Sequence, residues 1–279
     1  MIPAAFDYYQ PKTLEEAIGL LASNDEAKVL AGGHSLLPAM KLRLAQPKAL
    51  VDLSRIAELN YIREENGQIV IGAMTTHFEI ESSALLREKC PLLPEVAAHI
   101  GDVQVRNKGT FGGSLVHADP AADWPAAALA LDAEFQIAGL SARRTVPAAD
   151  FFVEMMQSAV QSNEILREIR VPVTPKSVAY AKFAQKASGF AIAGVAVVIE
   201  KTNREVRIGI TGVAPKAYRA IAVENELRGK PLSPESIRAA SAKAAEGIDS
   251  LNDIHASAEF RAHLARVHCA RALARAAAM

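Results

Sequence analysis

A chain of 279 residues has length for two domains, or for one large one, and for a sizeable core. Half of its residues are hydrophobic and 22% are charged, the composition of a soluble globular protein. Lys+Arg and Asp+Glu both number 31, so the charge balance gives no pull toward nucleic acid or an anionic membrane. Two cysteines, Cys90 and Cys269, form no C-x-x-C pair. They exclude an all-cysteine iron–sulfur cluster or zinc site built by this chain alone, read as small core residues, and fit a reducing compartment. The start, M-I-P-A-A-F-D-Y-Y, shows no signal peptide, and the best apolar run, residues 191–199, is strand-sized and too short for a membrane span. A cytoplasmic location is expected.

In chain order, Thr13-Leu14-Glu15-Glu16 is a capping box, with Leu14, Ala17, Ile18 and Leu21 behind it at helical spacing. Residues 29–38 then read V-L-A-G-G-H-S-L-L-P. Val29, Leu30 and Ala31 form a short strand that Gly32-Gly33 ends, and Ser35 stands as N-cap of a helix running to about Leu44. A strand delivered into two glycines and a helix start leaves a concave set of free backbone N–H groups. That set suits a pyrophosphate, and a Cβ there would hold phosphate oxygens off the backbone. The same turn is also ordinary punctuation between strand and helix. Residues 49–53 close a strand–helix–strand unit of about 55 residues.

A strand at 68–71, a short helix from 75 and a helix over 91–100 lead to a second glycine pair in G-T-F-G-G-S-L-V-H-A-D-P-A-A-D-W-P, residues 109–125. Here Gly112-Gly113 is followed by Ser114 and preceded by Thr110, about eighty residues after the first pair. Two such loops are what a two-sided clamp on one diphosphate needs. Neither is a Walker loop or a G-x-G-x-x-G turn, so generic nucleotide folds fit poorly. A helix over 124–131 and strands at 134–138, 143–146, 164–171 and 178–183 follow, with Pro172 and Pro175 marking a boundary. Residues 191–199 and 206–213 form an antiparallel pair around Thr202-Asn203. The end is helical: 217–227, then Ser233-Pro234 as N-cap and N1 of a helix to about Glu246, then 257–277 with Phe260, Leu264 and Val267 on one stripe.

The two glycine segments resemble the FAD loops of the medium, flavin-binding subunit of molybdenum hydroxylases, of the aerobic carbon monoxide dehydrogenase and xanthine dehydrogenase type. M-I-P-A-A-F-D-Y at the start, I-G-A-M-T-T-H from residue 71 and E-F-R-A-H-L-A-R-V near the end are similar to family segments, so the likeness runs nearly end to end. It implies an α+β fold: a two-part α/β FAD-binding domain (1–56 and 57–174) and a C-terminal domain (175–279) with a small antiparallel sheet and helices. It implies that Ala31, Gly32, Gly33, His34, Ser35 and Leu36 form the first loop and hold the pyrophosphate, and that Thr110, Gly112, Gly113, Ser114 and Ala118 belong to the second. Asp123 then meets the ribose end of FAD, where an acceptor-only carboxylate suits vicinal hydroxyls. Ile100 and Leu166 become apolar contacts, and Lys182 or Lys186 the basic residue near the isoalloxazine.

The resemblance implies no catalytic acid, base or nucleophile and no metal ligand here. Substrate is oxidised at a molybdopterin large subunit, an iron–sulfur small subunit relays electrons from its [2Fe–2S] clusters, and FAD passes them to an external acceptor in a dimer of heterotrimers. Gly189 and Phe190 depart from the acidic residue and tyrosine that many relatives carry. Several roles stay open. His117 and Asp119 contact FAD or stabilise the H-A-D-P turn. Asp123 binds ligand or only caps a helix. Trp124 packs at a helix start or neighbours the flavin, packing being favoured. His34 packs or bonds to its loop, and Arg261, Arg266, Arg271 and Arg275 form a solvated face. Two rival functions are a stand-alone FAD oxidase or reductase and a scaffold that has lost FAD.

Overall fold

The computed structural model describes residues 1–174, 176–202 and 205–279; Pro175 and Asn203, expected at a boundary and a turn, lie outside the described residues. The first unit consists of β1 (Asp7–Tyr9), α1 (Leu14–Ala22), β2 (Ala27–Leu30), α2 (Leu36–Lys41) and β3 (Ala49–Asp52), its parallel sheet ordered β1-β3-β2. Thr13 caps α1 through the Glu16 N–H, and Leu14, Ala17, Ile18 and Leu21 are its buried stripe, as their spacing requires. Helix α2 is shorter than expected. Leu42 ends it and Arg43 turns to φ 60°, while Ser35 holds the N-cap position without a side-chain cap bond.

The second unit opens with a hairpin, β4 (Ile62–Glu65) and β5 (Gln68–Gly72), around Asn66-Gly67, a dipeptide that favours such turns. Helices α3 (His77–Ser82), α4 (Ala84–Lys89), α5 (Leu92–Ala98), α6 (Val103–Lys108), α7 (Phe111–His117) and α8 (Trp124–Ala130) precede β6 (Glu134–Ala138) and β7 (Arg143–Pro147). Then come α9 (Ala148–Phe151), a small hairpin of β8 (Phe152–Glu154) and β9 (Gln157–Ser158), and β10 (Ile165–Pro172). The five-stranded sheet, β4-β5-β10-β6-β7, is antiparallel throughout. On its outer face the buried Glu168 accepts from Tyr61 and is gripped by Arg170 at 2.6 Å. Ala138 and Ile165 reach into the core of the first unit and tie the two together.

The C-terminal unit holds β11 (Val178–Ala184), β12 (Ala191–Glu200), β13 (Glu205–Thr211) and β14 (Tyr218–Arg219) in one antiparallel sheet, then α10 (Ile221–Leu227), α11 (Pro234–Ser241) and α12 (Ala258–Ala277). Nine successive residues of β12 are buried because α8 covers one face of this sheet and α12 the other. That is why the strand reads as an unbroken apolar run. The sequence pattern predicts a helix over 217–227. Instead Tyr218–Arg219 pairs with β13, and Arg219 is held by Glu224 and Asp132, so helix begins only at Ile221. No helix among the described residues is long and apolar enough to cross a membrane.

Helix α12 also departs from the expected stripe. Its buried face is Arg261, Leu264, Ala265, His268, Cys269, Ala272, Leu273 and Ala276, while Phe260 stays exposed and Val267 half-buried. Small residues dominate because the helix lies close on β11 and β12. Arg261 is accordingly not part of a solvated face. Its guanidinium donates to the carbonyls of Ile192 (3.0 Å) and Gly212 (2.5 Å) and pairs with both carboxylate oxygens of Asp253. Its Nε finds no partner among the described residues, and His268 is buried with neither ring nitrogen bonded there. The two buried polar residues should respond oppositely to removal. Arg261→Leu should destabilise the chain by about 3 kcal/mol, leaving the carbonyls of Ile192 and Gly212 without their buried donor. His268→Leu should be neutral or stabilising, because it removes an unsatisfied imidazole. Denaturant unfolding of both variants checks this; a costly His268→Leu beside a harmless Arg261→Leu would contradict it.

Candidate functional site

The two glycine segments meet. A Cβ on Gly32 would strike the Lys108 carbonyl and lie 2.7 Å from Gly109 Cα. One on Gly113 would lie 2.6 Å from Thr110 Oγ1 and 3.1 Å from Ala31 Cβ. Glycine at these positions lets loop pack on loop, a closer reason than the approach of a phosphate. Gly33, at φ 76°, makes the left-handed turn from β2 into α2.

The segments differ in what they offer a ligand. Among the described residues, the N–H groups of Gly32, Gly33, His34, Ser35 and Leu36 donate to no protein acceptor. They lie in a half-exposed loop at the seam of the two units. In the second segment the donors are spent. Phe111 N–H bonds the Thr75 carbonyl and Gly112 N–H the Ala73 carbonyl, both at 2.9 Å. Gly113 N–H bonds Thr110 Oγ1 (3.1 Å) and Ser114 N–H the Thr110 carbonyl (3.0 Å). Thr110, buried, is thus an internal cap of α7, and the second segment flanks the first loop without free N–H groups at 111–114. That segment still presents the Ser114 hydroxyl and the His117 imidazole, neither hydrogen-bonded within the described chain. Burial lowers the His117 pKa, Asp119 opposes the shift, and Lys28 on β2 adds to it. Ala118 ends α7 in the left-handed conformation. Asp119 takes the turn role, its carboxylate accepting the Ala121 N–H at 2.8 Å.

Further along, Asp123 occupies the N-cap position of α8 but does not cap it. Its buried carboxylate accepts from Tyr180 Oη (2.5 Å) and from Lys182 Nζ at 2.8 and 2.9 Å to its two oxygens. Lys182 also reaches the His99 carbonyl at 3.0 Å. Burial pushes the Asp123 carboxyl up, and the adjoining ammonium pulls it back. The resemblance implies Asp123 at the ribose and Lys182 or Lys186 at the ring. The structure pairs Lys182 with Asp123, whereas Lys186 is exposed in the β11–β12 turn. Ile100 is half-buried nearby in sequence to His99, and Leu166 is buried in the core of the second unit opposite Ile137. His34 is exposed.

Trp124 is fully buried, packs edge-on against Phe111 with centroids 4.7 Å apart, and donates from Nε1 to His77 Nδ1 at 3.1 Å. Its packing role is the one the structure shows. The His77–Trp124 pair and Tyr180 were not anticipated. The signal for His77 was available in T-T-H-F-E, where Thr76 and Glu79 form a capping box that fixes the start of α3.

A half-exposed loop of unspent N–H groups, packed on a second glycine segment in an α+β chain, has the chemistry of an anion-binding loop. Residues 4–174 match the family described as "FAD binding domain in molybdopterin dehydrogenase", and residues 178–276 match "CO dehydrogenase flavoprotein C-terminal domain". The chain is 43% identical to the carbon monoxide dehydrogenase medium chain of Hydrogenophaga pseudoflava, over 98% of this chain and 97% of that one. It is 36% identical to the nicotine 6-hydroxylase medium subunit of Paenarthrobacter nicotinovorans, over 92% of each. The solved carbon monoxide dehydrogenase of Hydrogenophaga pseudoflava contains a chain that superposes with a TM-score of 0.96 at 43% identity, covering 100% of this chain and 99% of that one. The chain belongs to the family of FAD-binding medium subunits of molybdenum hydroxylases; it is an oxidoreductase subunit and its cofactor is FAD.

The ion pair generates a direct test. Lys182→Met should cost about 3–5 kcal/mol, because it strands a buried carboxylate. Lys186→Met should change stability by no more than about 0.5 kcal/mol. Equal, small effects in chemical unfolding of the FAD-free chain would contradict the geometry.

Proposed function

We propose that this chain is the electron-exit subunit of its complex. It takes electrons from [2Fe–2S] clusters on an iron–sulfur small subunit and passes them to an external acceptor, while a molybdopterin large subunit oxidises substrate. The observation that carries the reading is the row of five unspent N–H groups, Gly32 to Leu36, at the seam of two units, in a chain that spans family medium subunits end to end. Those groups, with Ala31 beside them, would hold the FAD pyrophosphate. Gly112, Gly113 and Ser114, braced by Thr110 and Ala118, would wall it from the other side. Asp123 and Lys182, tied together, would serve the ring end with Ile100 and Leu166, and Lys186 would lie outside. Bound there, FAD supplies a carrier that can hold one or two electrons. The chain's own residues bind it, orient it and shield one side from water.

In this reading the working parts are residues 1–56, 57–174 and 175–279, the complex is a cytoplasmic dimer of heterotrimers, and both cysteines stay buried thiols. Relatives are named for carbon monoxide and for nicotine, which supports placing substrate choice on another chain. The purified chain loaded with FAD should pass electrons from an artificial reductant to dyes yet oxidise neither carbon monoxide nor nicotine. Adding the two partner subunits should make flavin reduction substrate-dependent. Substrate turnover by the chain alone, with molybdenum and iron shown absent, would overturn the proposal in favour of a stand-alone flavoenzyme.

A further inference from the structure

His77 is 4% exposed and opens α3 against the second glycine segment, its own N–H bonded to the Gly109 carbonyl at 3.0 Å. An indole N–H can only donate, so the 3.1 Å contact from Trp124 Nε1 makes His77 Nδ1 an acceptor. In the neutral ring the proton must then sit on Nε2. Nε2 lies against Gly109, where even a Cβ would come within 2.7 Å of it. Gly109 is also the residue on which Gly32 of the first loop packs. Nε2 thus sits at Gly109, one glycine away from the first loop, and it finds no acceptor among the described residues.

We infer that His77 is a further cofactor-binding residue, donating its Nε2–H to a phosphate oxygen of FAD at the junction of the two loops, with Trp124 fixing the tautomer that makes this possible. The inference rests on the binding reading above. A neutral donor suits the place, since it adds a hydrogen bond to the diphosphate without burying a cation against the core. Burial, reinforced by His34 and Arg106, holds the His77 pKa down to about 4, so the ring is neutral at physiological pH. Trp124 completes the arrangement from a fully buried position, where an indole N–H needs a partner.

The test uses the full chain stripped of FAD and titrated with FAD. His77→Phe keeps ring volume and deletes the donor; it should weaken FAD binding by about tenfold or more, the worth of a hydrogen bond to a charged group. His77→Gln, which retains an N–H donor, should bind within about threefold of the parent, a span of less than about 1 kcal/mol. Nitrogen-15 NMR of the histidine-labelled parent, which needs no variant, should show Nε2 protonated before FAD is added and its N–H resonance shifted on addition, with Nδ1 still an acceptor. Equal FAD affinity of Phe and Gln variants, or an Nε2–H resonance unmoved by saturating FAD, would overturn the inference. Failure of the parent itself to bind FAD would instead overturn the binding reading.

Discussion

The contact of Gly32 with the backbone of Lys108 and Gly109 is the constraint on which the site depends. It brings the loop after β2 against the loop before α7 at a distance no side chain would allow. Everything else follows from that seam. The second segment, pressed on one side by Ala73 and Thr75 and on the other by the first loop, turns its N–H groups inward and loses them to protein acceptors. The first loop lies on the outer side of the contact and keeps its own. One loop keeps free N–H groups and the other spends them, although their sequences look like two copies of one device.

A second tie joins the FAD-binding part to the C-terminal sheet. Asp123, at the head of α8, is bonded to Tyr180 and Lys182, both on β11. Such a buried charge pair is costly to break and only weakly favourable to form, so its value lies in fixing where β11 sits relative to α8. Arg275 extends the tie by bonding the Tyr180 carbonyl and Glu95, whose carboxylate also accepts the Tyr180 N–H at 2.9 Å. A lysine engaged in this way offers a ligand a neutralised pair. Any influence of Lys182 on a flavin ring is therefore tempered by the carboxylate beside it.

Much of the architecture was legible in the residues. The Thr13 N-cap, the apolar run at 191–199 and the Ser233-Pro234 helix start each have a local cause and appear where that cause puts them, although Glu16 bonds the Lys12 N–H and so does not close a capping box with Thr13. Elements whose existence depends on a distant partner were hidden. Tyr218–Arg219 looks like the first turn of a helix until Arg219 meets Asp132 and β13 supplies ladder bonds. Arg261 reads as surface charge until the carbonyls of Ile192 and Gly212 converge on it. In the site, the glycine pairs announced a binding loop, but spacing alone cannot say which N–H groups the protein consumes. The pairing of Asp123 with Lys182, 59 residues apart, is likewise a property of the folded chain.

The asymmetry of the loops is the central claim, and amide hydrogen exchange of the full chain with and without FAD reads it residue by residue. The expected result is that FAD slows exchange at Gly32–Leu36, whose N–H groups gain an acceptor, and leaves Phe111–Ser114, already bonded, nearly unchanged. New protection at Phe111–Ser114 with Gly32–Leu36 still exchanging freely would contradict the account.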